Sequence, residues 1–420
     1  MAEHNVAPKQ GEEKQLVKPK KVASDLIWSI AALAFMNGMI QIVIYPQLNR
    51  MLGTDGYGDM LYLMSVATIF GAGIGCAVNN ARMLHQLENT AGNADYLFSI
   101  LSYFAIACVV SYFFVRKYLA IWQLPLFALL MLLIILRYYS DVEYRLRLNY
   151  KRYFVYYAIL SLGYLVGLLL GKAFGSWMAV FLLGEFLCVL FCTLTGKIYR
   201  PFAYNHKFLQ VEYQTAHLML SYLLYNAVIQ LDRVMLRTVM DSSAVTVYYV
   251  ASLLGKIIAL LVGPLNSIII SYLTRMRTKI TTRTAMLLTG GTVLCGAVFY
   301  LVLLVASPIV IKWLYPDIYA EVMQITAMAN LGQIACFIGS LELTILLTVA
   351  PGYWQLAIQG GYAAMFVAGG LIGIQLNGLQ GFVYGTLAAS ILRLAFSFCL
   401  LLYYTAQGQK NAVHGAESQE

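Results

Sequence analysis

The chain has 420 residues, of which 60% are hydrophobic and only 11% are charged. Because a soluble domain has about 25% charged residues, this composition excludes an ordinary soluble fold and indicates a polytopic membrane protein. The net charge is +9, but no polar stretch is long enough to form a basic soluble domain, so we expect no nucleic-acid partner.

The apolar residues fall into twelve stretches, each long enough to cross a bilayer as a helix. The eighth is unusually long and contains Pro264, where a bend is expected. The predicted fold is therefore all-α, with twelve transmembrane helices. Their predicted limits are 26–46, 59–80, 96–115, 119–136, 153–171, 177–195, 214–236, 244–272, 286–311, 322–348, 353–375 and 379–404.

The basic residues between these spans predict their orientation. Residues 1–24 are polar and rich in lysine, and no small-residue cleavage site follows the first apolar run, so they are expected to form a cytoplasmic tail. Two further basic clusters, RYYSDVEYRLRLNYKR from Arg137 and TRMRTK from Thr274, lie at connections expected on the same side. By the positive-inside rule, both termini are predicted to be cytoplasmic.

Several chemistries lack their sequence signals. The seven cysteines fall in apolar segments without metal-ligand spacing, so we expect neither a metal site nor a cofactor. No Walker A motif is present, and we expect no ATP hydrolysis and no catalytic residues in this chain.

Polar residues follow one face of the seventh span. Tyr222, Asn226, Gln230, Arg233 and Arg237 are three or four residues apart, which places them on one side of a helix. A charged side chain at the centre of a membrane helix costs roughly 2.5–3.5 kcal/mol. This polar stripe is therefore expected to face protein or water, as one wall of a polar cavity.

Spans 1 and 7 carry the related motifs NGMIQ and NAVIQ, and each is followed by a short outer turn. This repeat predicts two six-helix lobes related by an axis along the membrane normal. The predicted divisions are an N-terminal tail (1–24), an N-terminal lobe (25–200), a cytoplasmic linker (201–213), a C-terminal lobe (214–404) and a C-terminal tail (405–420).

Intramembrane polar residues are the candidates for substrate binding. They have a simpler explanation too, because Asp232 and Arg233 could pair at the interface and amides could hydrogen-bond neighbouring helices. The candidates for lining the cavity are Arg233, Lys256, Arg393, Asn37, Gln41, Asn226, Gln230 and Tyr222. The candidates for ion coupling are Asp232, Glu185 and Glu342.

The segment QLDRVMLRTVMDSSAVTVYYVASLLGKIIALLVGPLNSIII resembles the start of the second lobe in polysaccharide flippases. Their superfamily also holds the multidrug and toxin extrusion (MATE) transporters. The turns at Asp241 and Tyr315 depart from the family, which has glycine there. The residues that carry the resemblance are Asp232-Arg233, Tyr248-x-x-Ala251 and Pro264, with Gly53, Tyr57, Gly58 and Gly75 near the start and Gly378, Gly381 and Gly385 near the end.

The resemblance implies a MATE-like fold and a specific activity. The family flips polyprenyl-pyrophosphate-linked oligosaccharides from the inner to the outer leaflet of a bacterial or archaeal plasma membrane, for O-antigen, capsule or exopolysaccharide synthesis. Guanidinium groups suit the pyrophosphate, and amides suit the sugars. The expected partners are this lipid-linked oligosaccharide, membrane lipids and glycan-assembly proteins, with H⁺ or Na⁺ as alternative coupling ions.

Two other functions stay open. A MATE-like multidrug or cation antiporter would share the fold, but its cavity should be dominated by carboxylates, whereas the intramembrane charges here are mainly cationic. A membrane-embedded glycan polymerase or ligase would use the same lipid, yet such enzymes usually carry a large outer loop that this sequence lacks. The sequence therefore favours a flippase that is not an enzyme.

Overall fold

A computed structural model describes residues 19–84, 91–259, 265–266 and 281–417, and these ranges are almost entirely helical. A π-helical turn (Met39–Ile44) joins the first two helices, and single 3₁₀ turns (Ile121–Gln123 and Pro316–Ile318) precede α4 and α11. The helices are α1 (Pro19–Gly38), α2 (Tyr45–Leu84), α3 (Asn93–Val115), α4 (Leu124–Leu146), α5 (Tyr150–Phe174), α6 (Trp177–Thr195), α7 (Phe208–Val239), α8 (Ser242–Ala251), α9 (Leu253–Ala259), α10 (Thr282–Leu314), α11 (Tyr319–Leu346) and α12 (Tyr353–Glu417).

The described part of every predicted span coincides with helix, apart from residues 119–120 and 347–348 at the edges of two spans and the turn at Ser252. Spans 1 and 2 are separated inside α2 at Gly53, where φ is +71°. Spans 11 and 12 are separated inside α12 at Asn377 and Gly378, and φ of Gly378 is +53°. Glycine adopts positive φ without steric strain, so these two positions end one span and start the next. Pro264 and the end of the eighth span lie outside the described residues.

Eight helical runs are long and apolar enough to cross a membrane, two of them containing the breaks just described, and the bent pair α8–α9 makes a ninth among the described residues. The prediction of an all-α polytopic membrane protein is confirmed.

The fourth span was predicted to end too early. α4 continues to Leu146, beyond the expected limit at residue 136. Arg137 is consequently buried in the bundle, with its Nε 2.7 Å from Glu185 Oε2 on α6. Arg137 was expected in a cytoplasmic connection, but it lies within α4, and its charge is neutralised by a carboxylate of another helix. The other basic cluster, TRMRTK, lies outside the described residues.

α2 occupies the centre of the helix packing. It contacts α3 and α4 of the predicted N-terminal lobe, and α7 and α8 of the predicted C-terminal lobe. Elsewhere α5 packs against α1 and α6, and α11 packs against α12 and α10. The contacts of α2 with α7 and α8 thus join the two predicted lobes. The lobe limits themselves stay a prediction.

Near the Gly53 break, at the predicted outer face, α2 meets α8 and the end of α7. Thr246 Oγ1 donates to the carbonyl oxygen of Thr54 at 2.7 Å, and Arg237 Nε lies 2.6 Å from Asp59 Oδ1. Gly58 packs directly on the carbonyl group of Ser242, leaving no room for a side-chain carbon. We call this contact the α2–α8 seam, formed by Thr54, Gly58, Asp59, Arg237, Ser242 and Thr246.

Replacing Gly58 with alanine should weaken the α2–α8 seam, because the added Cβ would collide with the Ser242 carbonyl. Such overpacking typically costs about 1–3 kcal/mol, so we expect a lower temperature of thermal unfolding for the purified protein in detergent. The control is Gly291→Ala on α10, where a Cβ meets open space. That variant should be unchanged or slightly stabilised, since alanine favours helix. Equal unfolding temperatures for both variants would contradict the close packing at Gly58.

Candidate functional site

Tyr249 on α8 lies at the centre of a polar cluster inside the bundle. Its hydroxyl donates to Gln41 Oε1 at 2.5 Å. The guanidinium carbon of Arg233 lies 4.6 Å from the centroid of its ring, and Lys256 Nζ lies 5.1 Å from the same centroid. The ring is 1% exposed, so polar groups from three other helical segments meet on one buried tyrosine. We define the central polar cluster as Gln41, Ser65, Gln230, Asp232, Arg233, Tyr249 and Lys256.

Arg233 is the cation of this cluster that lacks an acidic partner. Its Nη1 donates to Ser65 Oγ on α2 at 3.3 Å, and the same hydroxyl lies 3.3 Å from Gln230 Oε1. Its Nε is buried without a hydrogen-bond partner. Within the described ranges, no carboxylate oxygen lies within 4 Å of its guanidinium group. A half-buried guanidinium with an unused donor and no directly paired carboxylate suits an anion.

Lys256, in contrast, is neutralised within the protein. Its Nζ lies 2.5 Å from Asp232 Oδ2, and the other carboxylate oxygen accepts the backbone N–H of Arg233 at 2.9 Å. The Asp232 side chain is 6% exposed and that of Lys256 is 21% exposed. The central polar cluster therefore holds two positive charges and one negative charge.

Local geometry explains how these groups meet. Asp232 and Arg233 are neighbours on α7 and point about 100° apart around the helix axis, so Arg233 faces α2 while Asp232 faces α9. α8 and α9 are bent by 57° at Ser252. The first turn of α9 is held by a hydrogen bond of 2.9 Å from the Gly255 N–H to Asn330 Oδ1. The bend directs Lys256 toward Asp232.

The remaining candidates on α1 and α7 are half-buried and do not hydrogen-bond to the cluster. Asn37 donates to the carbonyl oxygen of Leu33, and Asn226 donates to that of Tyr222, each at 2.8 Å and each one turn back on its own helix. Tyr222 lies on the same face of α7, toward the predicted cytoplasmic end. Tyr222 and Asn226 therefore continue the polar stripe of α7, and Asn37 lies on α1, but none of the three joins the cluster.

Arg393 lies apart from the other two candidate cations. It is buried between α11 and α12, where Nη1 lies 3.5 Å from Cys336 Sγ and Nη2 lies 3.2 Å from Ser340 Oγ. Its guanidinium carbon is 4.8 Å from the centroid of the Tyr362 ring. A cavity of about 10 Å³, which is room for one water molecule, lies between Tyr362 and Tyr248. Arg233 and Lys256 thus share a site, and Arg393 belongs to a separate contact.

Of the three carboxylates predicted for ion coupling, only Asp232 belongs to the cluster. Glu185 is paired with Arg137 and also accepts the Tyr164 hydroxyl at 2.7 Å. Glu342 is buried on α11, accepts the Thr289 hydroxyl at 3.0 Å and leaves its other oxygen without a partner. Glu185 and Glu342 therefore each contact a neighbouring helix instead of the cluster.

The polar stripe of α7 does not line open space along its whole length. Gln230, Arg233 and Arg237 contact α2 instead. A cavity of about 600 Å³ does lie beside α7, but on the side that faces α12, and its lining is apolar. The lining residues are Leu224, Ala227, Val228, Leu231, Ala363, Ala364, Val367, Ala368 and Leu371.

Sequence reasoning missed two members of the cluster. Ser65 carries no signal, because serines are common in membrane helices and usually bond to their own backbone. Tyr249 follows Tyr248, which is part of the family-like Tyr-x-x-Ala motif, and the pair of adjacent tyrosines could have drawn attention to it. With 31 tyrosines in the chain, however, a single one carries little information.

No protein-family model matches the chain, and no curated protein sequence matches it either. Solved structures with the same fold do exist. An inward-facing multidrug resistance MATE family transporter of the MOP superfamily aligns with a TM-score of 0.64 and 11% identity, over 93% of this chain and 98% of that chain.

Two further solved structures support the same assignment. The lipid II flippase MurJ, in an inward closed conformation, aligns with a TM-score of 0.63 and 14% identity, over 92% of this chain and 90% of that chain. A MOP superfamily transporter from Pyrococcus furiosus, described as having a binding pocket of reverse polarity, gives a TM-score of 0.60 and 11% identity, over 92% and 95% of the two chains. The chain has the MATE-like fold that the sequence predicted.

Two substitutions of Tyr249 separate its two roles in the cluster. Tyr249→Phe keeps the ring beneath Arg233 and Lys256 and removes only the hydrogen bond to Gln41, so we expect a loss of about 1 kcal/mol in the free energy of unfolding. Tyr249→Ala removes the ring and leaves a cavity, so the loss should be about 3–5 kcal/mol. Thermal unfolding of the purified variants measures both. Similar losses for the two variants would mean that the ring does not support the cluster.

A second test concerns Glu185. Glu185→Ala leaves Arg137 buried without a counter-charge and should destabilise the protein by about 3–5 kcal/mol. The double variant Arg137→Met, Glu185→Leu removes both charges and should recover most of that loss. Thermal unfolding in detergent compares the three proteins. If the double variant were as unstable as Glu185→Ala, neutralisation of Arg137 would not be the role of Glu185.

Proposed function

We propose that the protein is a transporter that flips a polyprenyl-pyrophosphate-linked oligosaccharide from the inner to the outer leaflet of a bacterial or archaeal plasma membrane. The main support for this proposal is the position of Arg233. Its guanidinium group is half-buried between the two predicted lobes, with a buried Nε that has no hydrogen-bond partner and with no carboxylate partner among the described residues. Intramembrane charges of this kind are retained for function more often than for stability.

The chemistry of the cluster suits each part of such a substrate. Arg233 and Lys256 offer donors to the pyrophosphate, and the amides of Gln41 and Gln230 offer hydrogen bonds to sugar hydroxyls. The polyprenyl tail needs only hydrocarbon and stays in the bilayer. The cytoplasm is electrically negative, so each negative charge that leaves it gains about 2.3 kcal/mol per 100 mV.

The packing of the helices supports an alternating-access mechanism. The α2–α8 seam closes the predicted outer end of the contact between the lobes. The head group would therefore reach the central polar cluster from the predicted cytoplasmic end. Release to the outer leaflet requires the seam to open, and the lobes then rock around the cluster, as in transporters built from repeated halves.

A MATE-like antiporter for cationic compounds is the second candidate, and the likeness to MATE structures favours it. The charges of the cluster argue against it, since two cations outnumber one carboxylate and would repel a cationic substrate. The neighbour from Pyrococcus furiosus, described by its pocket of reverse polarity, is a precedent for this fold with an altered pocket charge.

Replacing Arg233 with alanine should abolish export of the surface glycan while the protein still inserts into the membrane. The pyrophosphate would lose the guanidinium of the central polar cluster, which has no acidic partner among the described residues. In cells of the source organism, export is measured as surface glycan, and insertion is measured by the amount of protein in membranes. Arg233→Lys should retain partial activity, because lysine keeps the charge but not the forked donors.

Lys312→Ala removes an exposed lysine at the predicted outer end of α10 and is the matched control, which should export normally. Normal export by Arg233→Ala would remove Arg233 from the mechanism. Two results together would favour the antiporter. These are efflux of a cationic dye by the unmodified protein, and normal glycan export in cells that lack the protein.

A further inference from the structure

The central polar cluster contains an ion pair that a substrate would have to break. Lys256 Nζ and Asp232 Oδ2 are 2.5 Å apart, whereas Arg233 has no acidic partner. With Lys256 paired, the cluster has a net charge of +1 and one free cation. Its two cations contact the same ring of Tyr249, at 4.6 and 5.1 Å from the centroid, so they lie within about 10 Å of each other.

A sugar-diphosphate-polyprenol carries two negative charges, one on each esterified phosphate group. Arg233 can balance one of them. The second needs Lys256, and Lys256 becomes available only when it leaves Asp232. The Asp232 carboxylate is 6% exposed, and without Lys256 it would be a buried charge lacking its ammonium partner. Such a group becomes neutral by taking up a proton.

We propose that diphosphate binding displaces Asp232 from Lys256, and that Asp232 then takes up one proton for each substrate bound. This inference rests on the proposed function, since it requires a diphosphate substrate, and it identifies the coupling ion. A hydronium ion from the aqueous solution gives up a proton, which forms an O–H bond on Asp232 Oδ2, and a neutral water molecule is left. Lys256 remains an ammonium group and exchanges the carboxylate for a phosphate oxygen. No group is oxidised or reduced. The final charge of +2 on Arg233 and Lys256 balances the charge of −2 on the diphosphate.

The groups that surround Asp232 suit a proton better than a sodium ion. Asp232 faces the Lys256 ammonium group from α9, which lies over the rings of Tyr248 and Tyr249 from α8. It also accepts the backbone N–H of its own neighbour Arg233, whose guanidinium adds a second positive charge nearby. These groups are mostly donors or cations, whereas hard metal ions need several oxygen ligands. Among the residues that the structure describes, no three His, Cys, Asp or Glu side chains form a metal-binding group.

Calorimetry on the purified protein in detergent tests the coupling. The probe is farnesyl-diphosphate-linked N-acetylglucosamine, whose two phosphate diesters do not titrate near neutral pH. Titrations at pH 7 in buffers with different ionisation enthalpies give the number of protons bound per probe. We expect a value near one for the unmodified protein. We also expect its affinity to fall roughly tenfold for each unit of rising pH, because one proton is bound with the probe.

Asp232→Asn should bind the probe at least as tightly as the unmodified protein, with no proton uptake and no dependence on pH. Glu342→Gln is the matched control and should keep the uptake of one proton, because Glu342 lies outside the cluster and is bonded to Thr289. The temperature of thermal unfolding establishes that each variant is folded. Substituting potassium for sodium in the buffer should change nothing.

Two results would overturn the coupling alone. These are probe binding without proton uptake by the unmodified protein, and uptake that persists in Asp232→Asn. Both leave the proposed transport of a diphosphate lipid intact. If the unmodified protein failed to bind the probe but bound a cationic dye, the proposed function itself would fail and the coupling with it. If Asp232→Asn does not fold, the pH dependence of probe binding by the unmodified protein still shows whether a proton is bound with the probe.

Discussion

A charge inside a membrane must be met by other protein groups, and this requirement decides where the helices of this protein touch. Arg137 on α4 is met by Glu185 on α6. Arg237 on α7 is met by Asp59 on α2. Lys256 on α9 is met by Asp232 on α7. Each pair ties together helices that are distant in the sequence, and hydrophobic burial could not specify these contacts because the surrounding lipid is equally apolar.

Two arginines inside the bundle, buried Arg393 and half-buried Arg233, are exceptions, and they lie at different kinds of helix contact. Arg393 and Arg233 both lack a carboxylate within 4 Å in the described ranges, and both have an Nε without a hydrogen-bond partner. Arg393 packs between α11 and α12, which belong to one predicted lobe. Arg233 bonds to Ser65 on α2 and so spans the contact between the predicted lobes. Only Arg233 lies where a movement of one lobe against the other would change its surroundings.

Hydropathy and helical periodicity are properties of one helix at a time, so the features that they predicted are features of single helices. They gave the all-α polytopic fold and the polar face of α7 with Gln230 and Arg233. They could not predict which helix that face would meet, since a partner such as Ser65 is chosen by packing across the bundle. The ion pair of Arg137 was not predicted for the same reason, because its partner Glu185 is 48 positions away in the sequence.

The α2–α8 seam and the central polar cluster lie on the same two helices, and this connects opening to binding. Gly58 and Ser65 are seven residues apart on α2, and Ser242 and Tyr249 are seven residues apart on α8. Each separation is about 10 Å along the helix axis. Gly58 meets Ser242 at the seam, while Ser65 and Tyr249 both contact Arg233.

Because helices move as rigid elements, separating α2 from α8 at the seam would also draw Ser65 away from Tyr249. Arg233 would then lose one of its two neighbours, and an anion held between these helices would lose part of its site. In the proposed mechanism, the state with a closed seam would hold the anion, and opening toward the predicted outer face would weaken its binding at the moment of release. A site with equal affinity in both states could not drive such a change.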